Sequence, residues 1–336
     1  MTARQADVER LAVTLTSFLI DVSGDEAVKV RGLHRAGEGS SRENWAFDAD
    51  WSIGSPWPAR LLLRRDPTGG VVETSRRTEF DLLSVLAPTG LPVPTVLWMD
   101  ESGERLGRPA MVVGRHPGRA HRGVLGPADP LALGADRARL AVDMCDLLAD
   151  LHAVDLRATG ADSVLVRPAG SAAASELRYW TAELDREELE PHPALRLVGR
   201  WLRDHIPAAA GPSVLVHGDF RPGNVLVDNG RIGHLLDWEL ARIGDRHDDL
   251  GWYCTDMYRS EHFIPGVWEQ DDFLRRYAER SGRAVDREAV RYWAVMAGFR
   301  LAVMGLAGVS SFVDGRSNRP AKPVDAFAAR LLAGCR

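Results

Sequence analysis

The stretch His217-Gly218-Asp219-Phe220-Arg221-Pro222-Gly223-Asn224, followed by Leu235-Leu236-Asp237-Trp238-Glu239, decides how this chain reads. It places one carboxylate, an amide five residues later and a second carboxylate thirteen residues beyond that among short β-branched runs, Val214-Leu215-Val216 and Val225-Leu226-Val227. Asp228-Asn229-Gly230 is a tight-turn signal, and residues 232–236 read as the returning strand of a hairpin. A strand, a loop stiffened by Pro222 and a hairpin would bring Asp219, Asn224 and Asp237 to one end. Taken singly, Asp219 is readable as a turn cap and Asn224 as a turn residue. Two carboxylates and an amide converging between apolar strands, however, require a compensating cation. The set suits phosphoryl transfer, which demands mainly positioning and charge neutralisation. Asp219 would accept the proton of an incoming hydroxyl. Asn224 and Asp237 would hold magnesium, an ion that prefers oxygen ligands and takes few of them from protein.

His-Gly-Asp-x-x-x-x-Asn followed by Asp-Trp-Glu resembles the aminoglycoside phosphotransferase family of protein-kinase-like small-molecule kinases. Gly218 stands where protein kinases usually carry Arg, and Arg221 where many carry a phosphate-neutralising Lys. The resemblance extends over about residues 28–307. It implies an α+β, bilobal protein-kinase-like fold, with a small β-rich lobe over 1–113 and a larger, mainly helical lobe over 114–336. It also implies Asp219 as base with Arg221 beside it, Asn224 and Asp237 as Mg2+ ligands, and ATP or GTP as phosphoryl donor.

At 336 residues the chain can bury a sizeable core, and its length suits two lobes. A net charge of −5 gives no reason to expect nucleic acid as partner. The three cysteines, Cys145, Cys254 and Cys335, have no metal-ligand spacing, which suits a reducing cytoplasm. The N-terminus does not read as a secretory signal, and no segment reads as long enough to span a membrane. Val8, Leu11, Ala12, Leu15, Phe18 and Leu19 follow helical spacing instead.

Lysine occurs only as Lys29 and Lys322 among 42 basic residues. The phosphate-binding Lys of the family's third strand therefore has no counterpart here, and the apolar run Leu61-Leu62-Leu63 ends in Arg64-Arg65. By the resemblance Arg64 takes that place, an always-charged donor to phosphate oxygens. Residues 74–86 read as a helix carrying Glu79, the matching partner for Arg64. Read alone, Arg64 is equally a solvated charge and Glu79 a surface residue. Gly37-Glu38-Gly39-Ser40-Ser41, between two strand patterns, reads as a nucleotide-covering loop in which Ser40 and Ser41 donate to phosphates. No Gly-Lys-Ser/Thr follows, which argues against a P-loop enzyme. The strand Ala110-Met111-Val112-Val113 matches the lobe-connecting hinge, where the backbone of Val112 and Val113 would meet the nucleotide base.

Leu140, Met144, Leu147, Leu148 and Leu151 form one apolar face of a helix over 136–154. His152 and His217 read as scaffolding for the catalytic loop, Asp249 as its backbone anchor, and Glu239 as a surface residue. The acceptor is a small molecule with a hydroxyl group. By resemblance an antibiotic leads, whether an aminoglycoside or another hydroxyl-bearing compound, with resistance by inactivation as the outcome. A metabolic acceptor such as a sugar, amino alcohol or hydroxyacyl compound is the alternative, because Arg300-Leu301-Ala302 resembles kinases fused to acyl-CoA dehydrogenases. A nucleotide-binding pseudokinase is a third reading. Glu183, Asp185, Glu187, Glu188 and Glu190 would suit a polyamine or a solvated helix. Trp252, Tyr253, Tyr258, Phe263, Trp268 and Trp293 would suit base stacking or core.

Overall fold

The computed structural model describes residues 3–36, 43–66, 76–126, 137–208, 211–315, 331–332 and 334–335. It divides into two compact units, Met1–Ala87 with Val93–Pro117, and Pro88–Pro92 with Gly118–Arg336. The division thus follows Pro117, where the sequence reading set it at 113/114. Pro88–Pro92 groups with the second unit, where the Pro92 carbonyl accepts a hydrogen bond of 2.6 Å from the Leu235 N–H.

The first unit comprises α1 (Ala3–Ser23), β1 (Lys29–Arg35), β2 (Glu43–Asp50), β3 (Arg60–Arg65), α2 (Arg76–Leu86), β4 (Val96–Asp100) and β5 (Ala110–Gly114). Its strands form one antiparallel sheet in the order β1-β2-β3-β5-β4. Phe47 and Ala49 on β2, with Leu61 and Leu63 on β3, recur every second residue and so share one face of the sheet. Leu11, Leu15, Phe18 and Leu19 recur at helical spacing on α1 and close over that face. Each buried Leu or Phe side chain contributes about 1.5–3 kcal/mol, an upper estimate because the unfolded chain is already partly collapsed.

The second unit holds α3 (Arg137–His152), α4 (Ala161–Val164), α5 (Ala172–Glu187), α6 (Pro193–Asp204), β6 (Val214–Val216), β7 (Val225–Asp228), β8 (Arg231–Leu235), β9 (Arg242–Gly244), α7 (Arg246–Tyr253), α8 (Arg259–His262), α9 (Gln270–Ser281) and α10 (Arg287–Val313). β7 and β8 form the expected hairpin, with Asn229 at φ 49° and Gly230 at φ 73°, the positive pair that a two-residue turn demands. β6 pairs with β9, a strand the sequence reading did not contain. The expected α3 face, Leu140, Met144, Leu147, Leu148 and Leu151, is buried. Trp180 and Leu184 of α5, Leu195 and Leu202 of α6, and Trp293 and Phe299 of α10 form a further core.

α10 corrects the expectation that no segment is long enough to span a membrane. By length and composition it passes, yet 67 % of its most apolar stretch is buried within the protein. Apolar residues all round mark a core helix as readily as a membrane span. α10 packs on α7 closely enough that a β-carbon at Gly251 would collide with Trp293.

Candidate active site

The loop after β6 carries His217, Gly218 and Asp219, and buried side chains set its shape. Asp249 on α7 accepts hydrogen bonds of 2.8 Å from the backbone N–H groups of both His217 and Gly218, one on each carboxylate oxygen. His152, at the end of α3, approaches the same carboxylate at 3.0 Å through Nε2, and its Nδ1 meets the Tyr277 hydroxyl at 2.7 Å. Burial alone would raise the Asp249 carboxyl. The hydrogen bonds from His152 and the Gly218 N–H, with the neighbouring imidazoles, outweigh it and hold the group at about 2. A buried carboxylate with this many donors stays ionised and clamps the loop.

A second buried cluster supports the loop from below. Arg242 on β9 bonds Asp248 and reaches Glu176 at 3.2 Å, while Arg300 of α10 reaches Asp248 at 2.7 Å and Glu176 at 3.4 Å. Arg300 also lies 5.1 Å from the centre of the Trp252 ring. Two guanidiniums between two carboxylates satisfy the demand that buried charge be paired. The sequence reading missed this cluster, because its members are spread over four elements.

The loop then turns through a 3-10 helix, Pro222–Asn224. Asn224 Nδ2 donates to Asp219 Oδ2 at 2.7 Å and to the Asp219 carbonyl at 2.9 Å. Arg221 Nε lies 2.9 Å from Asp219 Oδ1. On the opposing strand, the Leu236 N–H donates to the Asn224 carbonyl at 2.7 Å, and the Leu236 carbonyl accepts from His217 Nε2 at 2.9 Å. Both contacts converge on the residue before Asp237 and so draw Asp219, Asn224 and Asp237 together. Asp237 has φ 66°, in the left-handed region that side chains other than Gly, Asn and Asp rarely enter. Burial raises the Asp219 carboxyl above its ordinary value; Arg221 opposes this, and the nearby Asp237 charge adds to it. Burial also lowers the His217 imidazole, so this ring is neutral scaffolding.

The residues present fit a magnesium ion. The Asn224 amide nitrogen is committed to Asp219, which leaves its oxygen for a cation, and the repulsion between Asp219 and Asp237 favours a positive charge nearby. Among the described residues no group of three or more His, Cys, Asp or Glu forms a metal cluster. One amide and one carboxylate are the share expected of a protein whose metal also binds nucleotide phosphates.

In the first unit Arg64 Nη1 donates to Glu79 Oε1 at 2.7 Å, joining β3 to α2. Glu79 is shared: Arg76 Nη1 lies 3.6 Å from its other oxygen, and Arg76 Nη2 pairs with Asp66. Arg76 was missed, although its place three residues before Glu79 on a helix was a readable signal. Ser40 and Ser41 lie outside the described residues. Val112 and Val113 lie in β5, the strand paired with β3 on one side and β4 on the other. The chain leaves the sheet only beyond Arg115, whose N–H still bonds the Arg60 carbonyl.

The five-stranded antiparallel unit, the helical unit and the β7–β8 hairpin define a protein-kinase-like α+β fold. Residues 33–297 match the Phosphotransferase enzyme family, and the chain belongs to that family of small-molecule phosphotransferases. It is 30 % identical over 221 residues to mouse (Mus musculus) acyl-CoA dehydrogenase family member 10, covering 63 % of this chain and 20 % of that protein. The chain spans 20 to 34 % of the length of the first curated relatives it matches. A Ralstonia eutropha structure, provisionally named an aminoglycoside phosphotransferase, superposes with a TM-score of 0.71 at 21 % identity, covering 96 % of this chain and 95 % of that one. A thermostable mutant of an aminoglycoside phosphotransferase, solved with ADP and hygromycin B, superposes with a TM-score of 0.56 at 19 % identity, covering 96 % of each chain. At these identities the two structures show the shared fold.

Proposed function

We propose that the protein transfers the γ-phosphate of ATP or GTP to a hydroxyl group of a small molecule. One observation carries this reading: Asp219, anchored through Asp249 and flanked by Asn224 and Arg221, converges with Asp237 at the end of one hairpin. The acceptor hydroxyl would give its proton to the Asp219 carboxylate as its oxygen bonds the γ-phosphorus. The bond from that phosphorus to the bridging oxygen breaks, and the nucleoside diphosphate leaves. Arg221 would neutralise charge on the transferring group, and Arg64, oriented by Glu79, would grip the nucleotide phosphates. Asn224 and Asp237 would hold Mg2+, which when bound offsets the charge of those phosphates.

The acceptor is either an antibiotic, with resistance as the outcome, or a metabolite. The relatives in the acyl-CoA dehydrogenase family support a metabolic hydroxyl acceptor. So do the acidic residues of α5 and the segment after it. Arg186 pairs with Glu183 and Glu187, and Arg196 with Asp185 and Glu188, so these carboxylates are not held for a polyamine. A cytoplasmic setting belongs to the proposal, with three free cysteines in its support. The test is product analysis with a panel of hydroxyl compounds. A mass gain of one phosphate with equimolar ADP or GDP is expected. Nucleotide binding with neither transfer nor hydrolysis would replace this reading with a pseudokinase.

A further inference from the structure

Of the aromatic residues that suit base stacking or core by sequence, Trp252, Tyr253, Phe263, Trp268 and Trp293 are buried core. Tyr258 differs. It is half-buried, at the end of the 3-10 turn Asp256–Tyr258, with two guanidiniums over its ring, Arg122 at 5.3 Å and Arg221 at 5.9 Å. Arg221 is the side chain paired with Asp219. Arg122 runs along the catalytic loop itself: a β-carbon at Gly223 would lie 3.0 Å from Arg122 Cγ. Tyr258 and Arg122 are thus fixed beside the base and the turn that carries Asn224.

The hydrogen-bonding capacity left over at this place has one character. Arg122 bonds Glu261 at 3.0 Å through Nε, and among the described residues its terminal nitrogens have no partner. Asp219 and Glu261 are each occupied by an arginine. Among the described residues the Tyr258 hydroxyl makes no hydrogen bond. Burial raises this phenol above its ordinary value, so it is protonated at neutral pH and able to donate. Arg122 and Tyr258 offer donors here, while the carboxylates of Glu261 and Asp219 are each already paired with an arginine. Such a site complements anionic oxygen and offers a polycation no uncommitted acceptor at Glu261.

We propose that Arg122 and Tyr258 form the acceptor subsite and select hydroxyl compounds that carry an anionic group, a carboxylate or a phosphate, near the hydroxyl. This rests on the phosphotransferase reading above and narrows its acceptor class. Arg122 would take the anion through its terminal nitrogens and Tyr258 would donate to it, leaving Arg221 for the transferring phosphate.

The test compares four arms as acceptors: hydroxycarboxylates, their neutral methyl esters, alcohols bearing a phosphate monoester, and a hydroxylated polyamine. One or both anionic arms should be phosphorylated with kcat/KM at least about tenfold above the ester, and the polyamine should fail. The two anionic arms decide between carboxylate and phosphate. Arg122→Gln and Tyr258→Phe should raise KM for the anionic acceptor by about ten- to a hundredfold, with KM for nucleotide unchanged, and Arg122→Lys should recover part of the loss. Preference for ester or polyamine, an unmoved acceptor KM in Arg122→Gln, or no transfer to either anionic arm overturns the proposal. The wider reading is judged separately, by transfer to any arm or by Asp219-dependent nucleotide hydrolysis without an acceptor.

Discussion

Arg242 stands against Gly218 so closely that a β-carbon at residue 218 would lie 2.5 Å from its Nη1 and 2.6 Å from the Leu240 carbonyl oxygen. Gly218 also has φ 83°, a conformation that costs an L-residue about 1–2 kcal/mol. The arginine that protein kinases usually carry at this position of the loop therefore has no room here. A guanidinium arrives instead from β9, held by Asp248 and Glu176, and braces the loop from beneath.

Gly218→Ala should consequently lower both stability and turnover, and Arg242→Ala should not rescue it, since the obstructing Leu240 carbonyl is backbone. Urea unfolding and kcat on the single and double variants check this. A double variant restored to wild-type activity would place the whole conflict on the arginine.

Asp219→Asn should reduce turnover by about 10²–10⁴-fold, the usual range for general-base assistance, while nucleotide affinity holds. Isothermal titration with nucleotide, alongside steady-state kinetics, separates the two quantities. Unchanged turnover in a folded variant would remove Asp219 from the chemistry.

Asp237→Ala should raise the magnesium requirement more than Asn224→Ala does, because a full negative charge binds the ion more strongly than an amide dipole. Activity titrated against magnesium reads this out. If neither curve moves, the ion is held elsewhere.

Arg64→Ala and Glu79→Gln should each weaken nucleotide use, and together by less than the product of the two effects, since one side chain orients the other. Glu79 also serves Arg76, so Glu79→Gln should cost more stability than Arg64→Ala. A double-mutant cycle on nucleotide KM, with melting curves for each variant, measures both. Fully independent effects would return Arg64 to a purely structural part.

Asp249 makes stability depend on acid. Its carboxyl is held at about 2 in the fold against an ordinary 3.8, so the ionised form favours the native state. That contribution, roughly 2–3 kcal/mol, is complete above the unfolded value and disappears as pH falls toward the folded one. Asp249→Asn should therefore be much less stable than wild type near neutrality, and the gap should narrow on acidification toward about pH 3. Urea titrations of both proteins across that range would show it; a gap independent of pH would assign the stabilisation to packing.

The sequence by itself determined the β7–β8 hairpin, its turn and the residues gathered at its end. Short-range signals specify these features: β-branched runs of period two, Asn229-Gly230 at the turn, and the spacing of Asp219, Asn224 and Asp237. Its resemblance to the family also paired Arg64 with Glu79, the contact that joins β3 to α2. Periodicity likewise marked the buried faces of α1 and α3. Only the tertiary structure decided what surrounds Asp219. β9 closes on β6, Arg300 reaches Asp248 across 52 residues, and Arg122 meets Glu261 across 139. These contacts carry no local period, and with arginine making up nearly all of 42 basic residues, nothing in the sequence separates a guanidinium buried against a carboxylate from one in water. Folding makes that distinction, because a buried charge must find its partner wherever in the chain that partner lies.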